Sequence, residues 1–336
     1  MLRGCEAKTV REITMAEALR EALREEMRRD RHLILIGQEI GRGYEGIFGV
    51  TTGLMKEFGP RQVIDTPIME NTMLGCGIGA ALLGMKAVVE MMFSDFATVC
   101  FDGIVNQAAK IGYMSGDQYS LSLVIRMPGG GGQGMGPHHS QCLESLFMAV
   151  PGLTIVAPSN AFDAKGLLKT CINLGRPVLF FENRKLYKVK SPVPEDEYTL
   201  PLGKANIVRP GTDLTIVAVS SMVRVAERVA EELEKEKGLE VEIVDPRTIV
   251  PLDEELIAES IGKTGRVAIL EEGHLRGGIG SEISALIAEK YMDLLDHPIM
   301  RIGAKNVPVP ASLSLENAVL PGKDSVLQDI CRFFYL

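Results

Sequence analysis

The chain has 336 residues, of which 46% are hydrophobic and 24% charged, and its formal net charge is −8. This length predicts two domains, and the negative charge with scattered Lys and Arg excludes a typical nucleic-acid or anionic-membrane binder. The six cysteines show neither a CxxC pair nor zinc-type spacing, so we expect buried free thiols in a reducing compartment; they lie at positions 5, 76, 100, 142, 171 and 331. With no signal-peptide pattern and no long apolar span, a cytoplasmic location is expected.

Helix and strand patterns alternate through the first half of the chain. Apolar periodicity predicts helices over 14–28, 52–58, 71–83, 96–114, 141–149 and 161–173. Short apolar runs predict strands over 32–36, 62–64, 87–92, 121–127, 153–157 and 177–182. This alternation is typical of a parallel sheet with helices on both faces.

The pattern lapses over 184–213, where Lys, Pro, Glu and Asp predict a linker. Beyond it, strands are predicted over 214–220, 240–244, 266–270 and 298–302, with helices over 222–237, 253–261, 279–290 and 324–334. The predicted fold is therefore α/β, with two parallel-sheet domains over 1–183 and 214–336.

A single carboxylate, Glu70, precedes the glycine-spaced apolar segment 71–83. A carboxylate removed from water needs a partner, and a bound cofactor is one candidate. The alternative is a helix N-terminal carboxylate satisfied by backbone amides. Gly75, Gly79 and Ala80 leave a smooth strip that predicts an interface with another backbone, although close packing on the helix's own sheet would use the same residues.

The segment 128–141 combines a glycine run with His138, His139 and Ser140. It contains a G-x-G-x-x-G match, but a dinucleotide-binding loop opens directly into a helix, which Pro137 prevents here. At the carboxyl end of a parallel strand, either histidine would be placed to move a proton in a cleft, and a structural histidine is the alternative. No G-x-S-x-G elbow accompanies the serine, which disfavours a hydrolase.

Three further features have ordinary structural explanations. The glycine-rich stretch 271–280 predicts either a backbone-amide anion site at a helix N-terminus or a tight turn. Asp95 is interpreted as an N-cap rather than a catalyst, and Phe96 by itself as a core residue.

The chain resembles the beta subunit of the thiamin-diphosphate-dependent decarboxylating component of 2-oxo acid dehydrogenase complexes, a group that includes pyruvate, branched-chain and acetoin dehydrogenases. The resemblance is carried by segments 36–39, 48–54, 63–70, 106–110, 139–141, 150–153, 163–168, 245–253, 271–274 and 306–310. The family's pyrimidine-binding pattern is matched by Glu70, Gly75, Cys76, Gly79 and Ala80. The resemblance implies a transketolase-like pyrimidine-binding domain followed by a transketolase C-terminal-like domain.

The resemblance also implies roles for individual residues. Glu70 shares a proton with the aminopyrimidine of thiamin diphosphate, Glu39 belongs to the same pocket, and Ile68 and Phe96 line the ring. His139 faces the substrate or the lipoyl dithiolane as a proton donor. The implied reaction is oxidative decarboxylation of a 2-oxo acid, or cleavage of acetoin, with acyl transfer to lipoamide.

The Gly-Asp-Gly pattern that holds magnesium diphosphate in related enzymes is missing. The resemblance therefore implies that an alpha subunit supplies that half of the site within an alpha2beta2 heterotetramer, and no metal ligand is assigned to this chain. The C-terminal domain would dock the lipoyl-bearing acyltransferase core. A potassium ion, common in the family, is left open.

Five positions depart from the family pattern: Gln38, Met69, Asn71, Gly112 and His138. They leave the identity of the 2-oxo acid or acetoin substrate open. Two alternative functions also stay open, namely half of a split transketolase-like ketol transferase and a mainly non-catalytic docking subunit.

Overall fold

The computed structural model describes residues 10–41, 43 and 45–336. Fourteen strands and eleven α-helices follow one another along these residues. The elements up to residue 194 are β1 (Val10–Thr14), α1 (Met15–Arg29), β2 (Leu33–Gln38), α2 (Leu54–Phe58), β3 (Val63–Thr66), α3 (Glu70–Leu82), β4 (Lys86–Glu90), α4 (Ile111–Met114), β5 (Leu123–Gly129), α5 (Glu144–Met148), β6 (Thr154–Val156), α6 (Ala161–Ile172), β7 (Val178–Asn183) and β8 (Lys190–Pro194).

The remaining elements form the second half. They are β9 (Asn206–Arg209), β10 (Leu214–Ala218), α7 (Met222–Lys237), β11 (Val241–Asp245), β12 (Thr248–Val250), α8 (Glu254–Thr264), β13 (Val267–His274), α9 (Ile279–Lys290), β14 (Met300–Ala304), α10 (Leu313–Val319) and α11 (Lys323–Phe333).

Two sheets organise these elements. The first has seven strands in the order β12-β6-β7-β5-β4-β2-β3, and the second has five in the order β14-β13-β10-β11-β9. Within these two sheets neighbouring strands run parallel, except that β12 is antiparallel to β6 and β9 is antiparallel to β11. A separate two-stranded sheet pairs β1 with β8 antiparallel. The predicted α/β fold class is therefore confirmed. Because β2, β3, β4 and β5 are parallel, their carboxyl ends meet at one edge of the first sheet.

The predicted helix over 96–114 is wrong. The chain forms a 3-10 turn (Ser94–Thr98), a π-helical segment (Gly103–Ala108) and then α4. Gly103 explains part of this irregularity, because a Cβ there would lie 2.8 Å from a methyl group of Leu74 in α3. The backbone approaches α3 too closely for a regular helix with side chains.

Short edge strands escaped prediction. In the segment 184–213, β8 pairs with β1 and β9 pairs with β11. Further along the chain, β12 (Thr248–Val250) joins the first sheet. The domain boundaries at 183 and 214 stay a prediction.

Apolar side chains cover both faces of the first sheet. On one face α1 and α6 contribute a fully buried layer that includes Leu19, Leu23 and Leu167. On the other, α3 packs through Met73 and Leu74 against strands β4 and β5. The same apolar core continues into the second half of the chain, so the carboxyl edge of the first sheet lies above a continuous core.

The glycines of α3 divide between two environments. A Cβ at Gly77 would lie 2.5 Å from a methyl of Val89, so this glycine allows the helix to pack on its own sheet. At Gly75 and Gly79 a Cβ would meet no atom within 4 Å among the described residues. One face of α3 is therefore open.

The cysteines are less uniformly buried than expected. All five described cysteines are free; Cys100 and Cys171 are buried, whereas Cys76 is exposed on the open face of α3. Cys5 lies outside the described residues. In the described part of the chain, no helix combines the length and apolar character needed to cross a membrane.

Candidate active site

Residues singled out from the sequence follow neighbouring strands of the first sheet. Glu39 comes directly after β2, and Glu70 opens α3 four residues after β3. Phe96 lies in the turn after β4, and His139 lies in the glycine loop after β5. The parallel order β5-β4-β2-β3 places all four at the carboxyl edge of the sheet, where such folds bind ligands.

The Glu70 side chain is buried, with 8% of the residue exposed. It is the first residue of α3, and the N-cap residue, Met69, makes no side-chain cap. Among the described residues no group donates a hydrogen bond to the Glu70 carboxylate, so the interpretation as an amide-satisfied helix terminus is wrong. Burial, together with the negative charge of Glu70, raises the pKa of the Cys100 thiol to about 12.

Aromatic rings bring Phe96 and His139 together. The imidazole of His139 meets the ring of Phe93 edge-on at 4.6 Å between centroids, and that of Phe96 at 5.7 Å. The Cys100 thiol donates to the carbonyl oxygen of Phe96 at 3.7 Å, which links this cluster to the neighbourhood of Glu70. Phe96 is only half-buried, so the interpretation of its ring as a core residue is not supported.

Ile68 and Glu39 stand apart from this cluster. Ile68 is 69% exposed, and Glu39 is half-buried with a left-handed backbone (φ 59°). In the described chain, no hydrogen bond or ring contact joins either side chain to Glu70, Phe96 or His139. Their membership of the site rests on their position at the same sheet edge.

The glycine loop that carries His139 is held by carboxylates from the second half of the chain. Glu272 accepts a hydrogen bond from the amide of Gly131 at 2.6 Å. Glu316 accepts from the amides of Gly132 and Gly134 at 2.7 and 2.8 Å. Residues from the second half of the chain therefore approach this loop closely. Both glutamates lie more than 130 residues away along the chain, so no local signal marks them.

An arginine holds the other edge of the same loop. The Arg184 guanidinium is buried and donates to the carbonyl oxygens of Gly129, Gly130 and His139. It also lies 5.1 Å from the ring centroid of Phe93. Arg184 was not predicted from the sequence; it follows β7 directly and so lies at the same carboxyl edge of the sheet.

A buried ionic cluster lies across three adjacent strands of this sheet. Arg126 makes two hydrogen bonds of 2.7 Å to Glu182 and pairs with Glu90. The hydroxyl of Tyr187 donates to Glu182 at 2.5 Å. Burial raises the pKa of Glu90 above its ordinary value. A sequence signal was available for Arg126, which is the single charge within the otherwise apolar strand β5.

Asp95 is not the N-cap that the sequence predicted. Its Oδ1 accepts from the backbone and side-chain amides of Gln141 at 3.2 and 2.9 Å, and its Oδ2 is buried without a partner. The hydroxyl of Ser140 is also buried and unpartnered. Polar groups with unused hydrogen-bonding capacity therefore flank His139.

At the predicted anion site over 271–280, a side chain of the same segment already bonds the backbone amides. The carboxylate of Glu271 accepts from the amides of Ile279 and Gly280, both at 2.9 Å, at the N-terminus of α9. The tight-turn interpretation is the better one. Within the described residues no group of His, Cys, Asp and Glu is arranged to hold a metal ion.

Comparison with known proteins gives two family matches. Residues 11–190 match the pyrimidine-binding domain of transketolase, and residues 203–326 match the transketolase C-terminal domain. An inactive beta4 tetramer of a split-gene transketolase has the same fold, with a TM-score of 0.77 at 23% identity over 96% of this chain and 99% of that one.

Three relatives are similar over nearly the whole chain. The beta subunit of acetoin:2,6-dichlorophenolindophenol oxidoreductase of Bacillus subtilis (strain 168) is 43% identical, covering 94% of this chain and 96% of the relative. The pyruvate dehydrogenase E1 beta subunit of Rhizobium meliloti (strain 1021) is 42% identical over 96% of this chain and 70% of the relative. The 2-oxoisovalerate dehydrogenase beta subunit of Bacillus subtilis (strain 168) is 41% identical, covering 92% of this chain and 95% of the relative.

Proposed function

The chain belongs to the family of beta subunits of 2-oxo acid and acetoin dehydrogenases, and from this premise we propose that it supplies the pyrimidine-binding half of a thiamin diphosphate site shared with an alpha subunit. The observation that supports this most directly is the buried Glu70 carboxylate, which has no hydrogen-bond partner among the described residues. A group in that state is stabilised by a ligand that shares a proton with it.

The residues at the sheet edge fit the aminopyrimidine end of the cofactor. Glu70 would hydrogen-bond the pyrimidine ring, the half-buried ring of Phe96 would form one wall, and the exposed Ile68 would cover another face. Glu39 would orient Glu70. When bound, thiamin diphosphate supplies the carbanion and electron sink that cleavage beside a carbonyl group needs.

The chain's own task is to hold and move protons. Glu70 would hold a proton toward the pyrimidine nitrogen from its buried position at the start of α3. His139 presents its imidazole from the clamped loop and donates a proton to the substrate or the lipoyl dithiolane, since histidine exchanges protons near neutral pH. The substrate class is a 2-oxo acid or acetoin, and the acyl acceptor is lipoamide.

The open face of α3 is the surface we assign to the alpha subunit. Gly75 and Gly79 meet no described atom there, while Leu83 and Met69 nearby are 86% and 55% exposed. The alpha subunit would hold the diphosphate and its magnesium ion, and the second domain would dock the acyltransferase core. The assembly would work in the cytoplasm. No residue is assigned to a potassium ion.

Ketol transfer is not favoured. The split transketolase shares 23% identity, whereas the dehydrogenase beta subunits share 41 to 43% over nearly the full length of this chain. The lower value establishes the fold alone.

The test substitutes Glu70 in the complex reconstituted with its alpha subunit. Glu70→Gln keeps the volume but removes the shared proton, so kcat with pyruvate, acetoin or 3-methyl-2-oxobutanoate should fall about 10²- to 10⁴-fold. Glu254→Gln is the matched control, because Glu254 also opens a helix and is bonded to a surface lysine. The control should leave kcat unchanged.

Two outcomes would count against the proposal. One is a Glu70→Gln complex whose kcat stays within about threefold of wild type. The other is tight binding of thiamin diphosphate by the beta chain alone, measured by calorimetry, because half a site should bind the cofactor weakly. Transfer of label from the 2-oxo acid to a lipoyl domain tests the acceptor separately.

A further inference from the structure

Glu316 is a carboxylate that the proposed reaction does not use. It lies in α10, in the second half of the chain, and is fully buried. We propose that Glu316 is a positioning residue for His139, acting through the glycine loop between them. The inference rests on the proposed role of His139 and concerns how that side chain is kept in place.

The contacts of Glu316 are directed at the loop. Its two oxygens accept from the amides of Gly132 and Gly134 at 2.7 and 2.8 Å, and among the described residues it forms no ion pair. A buried carboxylate is costly unless it is hydrogen-bonded, and N–H donors to an ionised acceptor are among the stronger hydrogen bonds. The loop amides are therefore what stabilises Glu316, and Glu316 in turn fixes them.

The backbone of the loop is shaped for this contact. Gly130, Gly132, Gly134 and Gly136 all have positive φ, between 68° and 89°, in alternation with the residues between them. Such alternation turns successive N–H groups toward one side and forms an anion-binding concavity. Here the concavity holds Glu316, with Glu272 on the neighbouring amide. A dinucleotide phosphate is not needed to explain the glycine run.

The opposite edge of the loop is held at His139 itself. Arg184 donates to the carbonyl oxygens of Gly130 and His139, so the carbonyls face a cation while the amides face carboxylates. Lys185 pairs with Glu272 at 2.9 Å and ties the two sides together. Because the loop is clamped from both edges, releasing the amides frees the segment that leads to His139.

The contact also joins the two halves of the chain. Glu316 lies 184 residues from Gly132 and 182 from Gly134, in a helix that belongs to the C-terminal half. A Cβ at Gly134 would lie 3.0 Å from the carbonyl oxygen of Ala311, which shows how closely the loop packs on that half. The position of the His139 imidazole should therefore depend on how α10 packs against the loop.

The experiment compares three variants in the reconstituted complex: Glu316→Ala, Glu316→Gln and Glu242→Gln. Glu242 is also fully buried in the C-terminal half, but among the described residues its hydrogen bonds go to Gly211, Ser260 and Lys263 and not to the loop. Hydrogen–deuterium exchange of peptides spanning 129–141 reports loop order independently of activity. Kinetics with the 2-oxo acid or acetoin reports its consequence.

Glu316→Ala should raise exchange of the loop amides about tenfold or more, because their acceptor is gone. It should lower kcat about tenfold with thiamin diphosphate affinity within about threefold of wild type, since among the described residues Glu316 forms no hydrogen bond with Glu70 or Phe96. Glu316→Gln keeps one acceptor oxygen and should restore part of both losses. Glu242→Gln should lower overall stability while loop exchange stays at the wild-type rate.

The proposal is overturned if loop exchange in Glu316→Ala equals that of wild type, or if Glu242→Gln raises it equally. It is also overturned if exchange rises while kcat is unchanged. Should Glu316→Ala fail to fold, the isosteric Glu316→Gln decides by the same two readouts. A wild-type complex inactive toward all three substrates would refute the proposed function, while the exchange data would still show whether Glu316 orders the loop.

Discussion

Replacing Arg126 with methionine should destabilise the chain strongly, in a way that depends on pH. Arg126 is fully buried between Glu90 and Glu182, which are themselves 9% and 1% exposed. Methionine fills a similar volume but leaves two carboxylates facing each other. Removing one partner of a buried ion pair typically costs about 3–5 kcal/mol, because the remaining charge stays buried without compensation.

The sign of the pH dependence follows from Glu90. Burial already raises its pKa in the folded protein, and loss of the guanidinium would raise it further. A carboxyl group whose folded pKa exceeds its unfolded value contributes stability at low pH and loses that contribution as pH rises through the folded pKa. Arg126→Met should therefore be near wild type around pH 4.5 and show its full cost of about 3–5 kcal/mol near pH 8.

Urea unfolding followed by circular dichroism at several pH values measures this difference. Arg209→Met is the control, since Arg209 pairs at 2.7 Å with Glu234, whose side chain is 57% exposed. An exposed pair of this kind contributes less than about 1 kcal/mol. A loss below about 1 kcal/mol in Arg126→Met, or a loss independent of pH, would refute the reasoning.

Two further predictions use other parts of the chain. Gly77→Leu should destabilise the chain in thermal melts, because a Cβ there would lie 2.5 Å from a valine methyl of β4. Gly79→Leu, in contrast, should fold normally and weaken association with the alpha subunit in sedimentation experiments. Asp245→Asn should flatten the pH dependence of unfolding. Burial raises the pKa of Asp245 from 3.8 to about 7, so the contribution of this one group to wild-type stability should fall by about 4 kcal/mol as pH rises through that range. Unchanged pH profiles, or equal effects at the two glycines, would contradict these expectations.

Local patterns predicted most of the fold. The alternating βα order, the fold class and the two-sided burial of the first sheet follow from apolar runs and periodicity. The broken helix over 96–114 did not, because the close approach of Gly103 to α3 is a tertiary contact. The short edge strands escaped for a related reason: three to five residues with mixed polarity carry little signal of their own.

The site was partly predictable from the sequence. Glu70 could be proposed because an acid beside an apolar helix is conspicuous, and His139 because it follows a glycine run after a strand; their roles stay predictions. Arg184 and Glu316 could not be assigned in the same way, since their partners are the backbone groups of a distant loop. A glycine-rich segment indicates that another part of the molecule or a ligand approaches the backbone closely, but it does not identify that group.

Glu70 differs from the other buried carboxylates in its hydrogen bonding. Twelve Asp and Glu residues are buried among those that the structure describes. Eleven of them accept at least one hydrogen bond from the protein, and the partners include the loop amides of Glu316 and the guanidinium of Glu182. Glu70 is the exception. Since the same chain satisfies its other buried acids internally, the unpaired one is the position at which we propose that a bound molecule supplies the partner.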